Sequence, residues 1–101
     1  MSNYAKRTDE NQKEVVAELR AALPEASVHV TSGTGDGFPD LVVGWRKRHN
    51  FLIELKNRDK APSERRLPNA QMSMHGNWQG QVAVCHSAAE ILATMLREVA
   101  A

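Results

Sequence analysis

A chain of 101 residues, 42% apolar and 25% charged, is sized for one small domain with one core, and its composition is not that of a disordered chain. Its apolar runs, such as residues 41–43 and 51–53, are a few residues long against the roughly 20 needed to span a bilayer, and residues 1–13 are almost wholly polar, unlike an export signal. The net charge of +1 conceals a split: residues 46–66 carry eight basic side chains against three acidic ones, a local +5, which leaves −4 for the rest and suggests one face suited to a polyanion.

Thr8 is placed to N-cap a helix with Asp9 and Glu10 in its first turn, where acidic groups suit the helix dipole. Val15, Val16, Leu19, Ala22 and Leu23 then recur at helical spacing until Pro24, which predicts an amphipathic helix of roughly four turns. Residues 27–31 alternate with the two-residue period of a short strand, and the loop 32–39 follows with Gly33, Gly35 and Gly37. Residues 40–45 and 51–56 are apolar runs separated by the polar segment 46–50, the pattern of an antiparallel hairpin. Residues 57–68, with two prolines and alternating charge, read as an exposed loop. A helix is expected over 69–78 and a strand over 81–85. Ser87 then caps a last helix, with Glu90 at the capping-box position and Ile91, Leu92, Met95, Leu96 and Val99 on its buried face. The order α-β-β-β-α-β-α, without internal repeats, predicts a minimal α/β sandwich.

The chemistry sits in residues 37–43 and 51–56. Alternation along the second run sends Phe51, Ile53 and Leu55 to one face and Leu52, Glu54 and Lys56 to the other. Asp40 begins the neighbouring strand, and directly opposed residues of a hairpin have Cβ atoms about 5 Å apart, so Asp40 is expected beside Glu54. Two carboxylates that close repel each other unless a cation lies between them, and a hard divalent ion such as Mg²⁺ takes oxygen ligands of this kind. Lys56 beside them is suited to hold an attacking water or to offset charge on a scissile phosphate. These residue types in this order suit metal-assisted phosphodiester hydrolysis.

Pro39-Asp40, thirteen further residues, then Glu54-Leu55-Lys56 resembles the PD-(D/E)xK nuclease motif. The wider pattern is similar to the VRR-NUC branch, which includes stand-alone phage and bacterial domains and is related to Holliday-junction resolvases. In that family a first-helix glutamate is followed by apolar residues one, five and nine positions on; Glu14, with Val15, Leu19 and Leu23, matches it. Leu67-Pro68-Asn69-Ala70-Gln71 resembles the segment that carries a glutamine on the helix after the catalytic strand. Residues 80–84 resemble the closing glycine and strand, with a serine-started helix behind them.

The resemblance covers about residues 13–96. It implies that residues 1–101 form a single small restriction-endonuclease-like α/β domain with a mixed central sheet flanked by helices. The implied activity is a Mg²⁺- or Mn²⁺-dependent endodeoxyribonuclease of the junction-resolvase kind, a homodimer whose two-fold axis relates two sites that nick two strands of branched DNA. Glu14, Asp40 and Glu54 would bind the metal, the Leu55 carbonyl would add a ligand, Lys56 would serve the attacking water, and Gln71 would complete the catalytic set. Two rivals stand beside this reading: a nuclease that prefers flaps, single strands or duplex, and a non-catalytic nucleic-acid-binding domain on the same scaffold.

Arg46, Lys47, Arg48, Arg58, Lys60, Arg65 and Arg66 are the candidates for phosphate contact, which would position DNA without reading its sequence. The glycine loop is not a dinucleotide fingerprint, since G-x-G-x-x-G needs glycine where Phe38 stands and a strand follows; it reads as flexible backbone near the metal site. His29, His49, His75 and His86 lack metal-ligand spacing, and Trp45, Trp78 and Cys85 read as packing residues. A single cysteine excludes an internal disulfide and a cysteine-built zinc site, and fits a reducing cytoplasm, that of the host for a phage-encoded chain.

Overall fold

The computed structural model describes residues 3–56 and 69–100, with residues 3–10 described by their backbone alone. The elements are α1 (Asn3–Ala22), β1 (Ser27–Val30), β2 (Leu41–Trp45), β3 (His49–Leu55), α2 (Asn69–Asn77), β4 (Gln81–Cys85) and α3 (Ala88–Ala100), in the order expected from the sequence. They form a small α/β fold around one four-stranded mixed sheet with strand order β1-β2-β3-β4. The β1/β2 and β2/β3 ladders are antiparallel, and β3 runs parallel to β4 through a crossover that contains α2.

One face of the sheet carries the core. Leu41, Val43 and Trp45 of β2, Phe51, Ile53 and Leu55 of β3, and Cys85 of β4 are buried against Val15, Val16 and Leu19 of α1 and Ala88, Ile91 and Met95 of α3. The helical spacing of the α1 and α3 residues and the two-residue spacing of the strand residues each deliver a single apolar face, so the two helices cover this side of the sheet. Ser87 caps the start of α3 as expected, while the return bond of Glu90 goes to the residue before the cap. Glu90 N–H donates to Ser87 Oγ at 3.2 Å, while the Glu90 carboxylate reaches back to accept from His86 N–H at 2.7 Å.

Several boundaries differ from the sequence reading by one residue, and two differ by more. Thr8 does not cap α1, which begins at Asn3: Tyr4, Ala5, Lys6 and Arg7 contain no glycine or proline to stop the helix, so it runs through Thr8. The β2–β3 hairpin is tighter than the polar segment 46–50 suggests, because His49 and Asn50 pair with Trp45 and Gly44 and extend β3. A paired partner strand satisfies their backbone groups whatever their polarity. The turn is left with three residues, Arg46 and Lys47 at φ of 59° and 60° and Arg48, whose N–H donates to the Trp45 carbonyl at 3.3 Å. Among the described residues no helix is long and apolar enough to cross a membrane.

Candidate functional site

Asp40 lies immediately before β2, and Glu54 one residue from the end of β3. The register that pairs Leu41 with Ile53 sets the two acids opposite each other. Asp40 is fixed by its own backbone: its N–H donates to the Ile53 carbonyl at 3.0 Å, and its carbonyl accepts from Thr31 N–H at 2.7 Å. The preceding Pro39 is fully buried, and its carbonyl accepts from the Thr31 hydroxyl at 2.8 Å. Its carboxylate is held from the far side, where Leu55 N–H donates to Asp40 Oδ2 at 2.8 Å.

Glu54 is 3% exposed although it lies on the sheet face opposite the core. Gln71 Nε2 donates to Glu54 Oε2 at 3.0 Å, and Lys56 Nζ stands 3.7 Å from the same oxygen. Glu54 Oε1 is buried and has no hydrogen-bond partner. The end of β3 is tied down as well, through Lys56 N–H to the Cys85 carbonyl at 3.0 Å. Asp40 just before β2, Glu54 of β3, Lys56 just after it and Gln71 of α2 thus meet at one end of the sheet, with Glu54 and Lys56 on one side as the alternation of the second run requires.

Burial, and then the neighbouring Asp40 charge, push Glu54 up to about 8, against the pull of Lys56; a hydrogen bond to Asp40 favours its protonated form and the Gln71 amide opposes it. Asp40 is also raised, chiefly by burial, which outweighs the Leu55 N–H, the hydrogen bond with Glu54 and the Lys56 charge. The two carboxyls therefore titrate as a pair, with Glu54 still largely protonated at neutral pH. Such a site has use for positive charge. The orphaned Oε1 and the paired carboxyls are hard oxygen donors, and Mg²⁺ is commonly held by one or two carboxylates with water completing its shell, so these residues fit a divalent cation.

No family model, curated protein or solved structure matches this chain.

Glu14 is not brought to the acidic pair. It is exposed on α1, and among the described residues no group of three or more His, Cys, Asp or Glu side chains is assembled for a metal ion. The α1 side chain that turns inward at this level is Gln12, one turn before Val15 and Val16; it is buried, its Nε2 donates to Ser32 Oγ at 3.4 Å, and its Oε1 has no partner. Leu55 enters the site through its amide, as the donor to Asp40. Arg46, Lys47 and Arg48 are exposed in the hairpin turn, at the far end of β2 and roughly 20 Å along the strand from Asp40. Arg58, Lys60, Arg65 and Arg66 lie outside the described residues, as do Leu67 and Pro68 of the segment matched before Gln71.

The glycine loop is an anchor rather than slack. Gly37, at φ of 78°, packs so closely on α2 that a Cβ there would lie 2.5 Å from the Ala70 carbonyl oxygen and 2.8 Å from the Gln71 nitrogen. Only glycine allows this approach, and it seats the first turn of α2 so that Gln71 meets Glu54. One turn further along the same helix face lies His75, which the spacing of the four histidines alone does not single out. Its Nε2 is buried without a partner, and burial together with the Lys56 charge lowers its pKa, so it is neutral at pH 7. Its position four residues after Gln71 was the available signal.

Proposed function

We propose that this protein is a divalent-cation-dependent DNA endonuclease on a PD-(D/E)xK scaffold of the VRR-NUC kind. The observation that carries the reading is the joining of Asp40, Glu54 and Lys56 with Gln71 at one end of the sheet, with a buried carboxylate oxygen left free. Two acids whose pKa values are both raised by burial have a cost in a domain this small, on the order of kcal/mol for each unpaired buried charge, and a purely structural pair would gain by replacement with apolar groups.

Asp40 and Glu54 would hold the cation, Asp40 oriented by the Leu55 amide and Glu54 by Gln71. When bound there, a divalent ion supplies neutralisation of the scissile phosphate and a lowered pKa for the attacking water. Lys56, already beside Glu54 and 15% exposed, has three donors to hold that water or to offset charge building on the phosphate. His75, kept neutral by burial and by the Lys56 charge, adds no second cation to compete for the anion. A homodimer with two such sites related by a two-fold axis would act on two strands of a branched substrate, and a light-scattering mass of twice 11.2 kDa is the expected result.

The test is cleavage of a four-way junction, a flap and a linear duplex in Mg²⁺ and in Mn²⁺. Asp40→Asn and Lys56→Ala should each lower the rate by 10² or more, as removal of a group acting in the transition state does. The preferred substrate distinguishes a resolvase from a flap or duplex nuclease. Cleavage that persists in either variant removes this mechanism, and DNA binding that survives chelation with no cleavage in either metal favours a non-catalytic domain.

A further inference from the structure

The helix that brings Gln71 to Glu54 has a second face turned away from the acids. Ala70, Ser73, Met74 and Asn77 recur there at one-turn spacing, and together with Asp36 and Trp78 they line a shallow cleft of about 450 Å³. That volume falls within the roughly 300–1,000 Å³ of small-ligand sites. Its wall is an unusual tryptophan. Trp78 is 42% exposed, where the packing residue Trp45 is 4% exposed. Yet its ring is held: Phe38 meets it edge to face at 5.9 Å and 87°, and a Cβ on Gly80 would stand 3.0 Å from Trp78 Nε1. A large aromatic surface that is exposed and already immobilised loses little entropy on binding a second ring.

Asp36 enters the cleft from a strained run of backbone. Gly35, Asp36 and Gly37 follow one another at φ of 91°, 58° and 78°, and a left-handed aspartate between two glycines costs free energy that an ordinary surface loop avoids. Asp36, Ser73 and Asn77 offer hydrogen-bonding groups around an aromatic wall, the mixture that suits a flat heteroaromatic ring with polar edges rather than an aliphatic chain.

The cleft is also close to the acids. Phe38 is two residues before Asp40, and Trp78 follows Gln71 by about two helical turns, roughly 10 Å, a distance that an unpaired strand spans in at most about three nucleotides. We infer that this cleft takes an unpaired nucleobase of the substrate strand, stacked on Trp78 within about three nucleotides of the phosphate at the Asp40–Glu54 pair. The inference rests on the nuclease reading of that pair for its choice of nucleic acid. A base inside a duplex is stacked on both faces and cannot offer one to Trp78, so the cleft selects strands with a free base, as in a flap, a bulge or an opened junction.

The experiment is a titration of the whole protein with single-stranded oligothymidylate in the presence of a chelator, followed by tryptophan fluorescence. Buried Trp45 supplies a steady background, so the single strand should quench the Trp78 share of the emission, while a blunt duplex of equal length should leave it unchanged. Trp78→Phe should bind without the quench, and Trp78→Ala should bind about tenfold more weakly. Unaltered emission with the single strand, equal quenching by the duplex, or unchanged affinity of Trp78→Ala would each overturn the inference. Because no metal and no cleavage enter the readout, quenching without nuclease activity removes the catalytic reading alone, and cleavage without quenching removes the base cleft alone.

Discussion

The two ends of the β2–β3 hairpin are built from the same pair of strands and are physical opposites. At one end Asp40, Glu54, Lys56 and Gln71 are packed together, and both acids hold protons above their usual range. At the other, Arg46, Lys47 and Arg48 are exposed in a strained turn, and the Arg46 guanidinium rests 4.2 Å from the centre of the Trp45 ring. The contrast shows that, among the described residues, basic side chains close in sequence are held apart by the hairpin. Residues 46–66 are adjacent along the chain, but the strand length of β3 separates the basic turn from Lys56 by roughly 20–30 Å, so the turn and the acids cannot grip the same phosphate.

The largest effect follows from burying acid at only one of these ends. Glu54 has a folded pKa of about 8 against an ordinary value of 4.5, so it favours folding least when ionised. Below about pH 4.5 it is protonated in both states and exerts no penalty. Between pH 4.5 and 8 the unfolded chain releases its proton while the folded one retains it, and stability falls as pH rises, by several kcal/mol and on the order of 5 at most. Glu54→Gln should remove the Glu54 part of this slope and leave the part due to buried Asp40: urea denaturation at pH 5 should give similar stabilities for the two proteins, and at pH 9 the variant should be clearly the more stable. Millimolar Mg²⁺ should raise the melting temperature of the parent at pH 9 and leave that of Glu54→Gln nearly unchanged, because a cation that binds only the folded state stabilises it by mass action. A parent protein with flat stability across this window would refute the coupled acidic pair.

Next in size is the contact that carries α2 to the acids. Gly37→Ala sets a Cβ against backbone at Ala70 and Gln71, neither of which can swing aside, and adds the strain of a positive φ. A loss of about 2–3 kcal/mol is expected from the two terms. Gly33→Ala, in open space and without a positive φ, is the control and should change stability by less than about 0.5 kcal/mol. If Gly37→Ala still folds, its cleavage rate should fall along with its stability, since Gln71 no longer meets Glu54.

The same contrast explains what could be read from the chain alone. The opposition of Asp40 and Glu54 was legible because two apolar strand runs with a two-residue period fix a register, and register fixes the face. The α3 cap was legible because Ser87 and Glu90 act within one turn. What was hidden is tertiary. Nothing local marks Gly37 as the seat of α2, and the start of α1 was misplaced because a good N-cap residue such as Thr8 also tolerates a helix interior when the residues before it are helix formers. Glu14 was matched by its offsets, yet the apolar stripe of Val15, Val16 and Leu19 points Gln12 inward and Glu14 outward, a signal that helical geometry already contained.

The smallest effect belongs to the basic turn. Lys47 has φ of 60° and is exposed in the turn, whereas Arg46 at 59° recovers part of its strain on Trp45. Lys47→Gly should therefore stabilise the protein by about 0.5–1 kcal/mol, the left-handed cost removed less the added freedom of the unfolded chain, and Arg46→Gly should gain less. Urea midpoints measure the first outcome, and DNA affinity against salt concentration measures what the strain is for. If the turn touches a phosphate remote from the cut, Lys47→Gly lowers the salt slope by about one and weakens binding to all sequences alike, while cleavage at saturating DNA is unchanged. If stability rises and the salt slope stays as it was, the turn has no part in holding DNA, and the polyanion-facing charge must be sought beside Lys56.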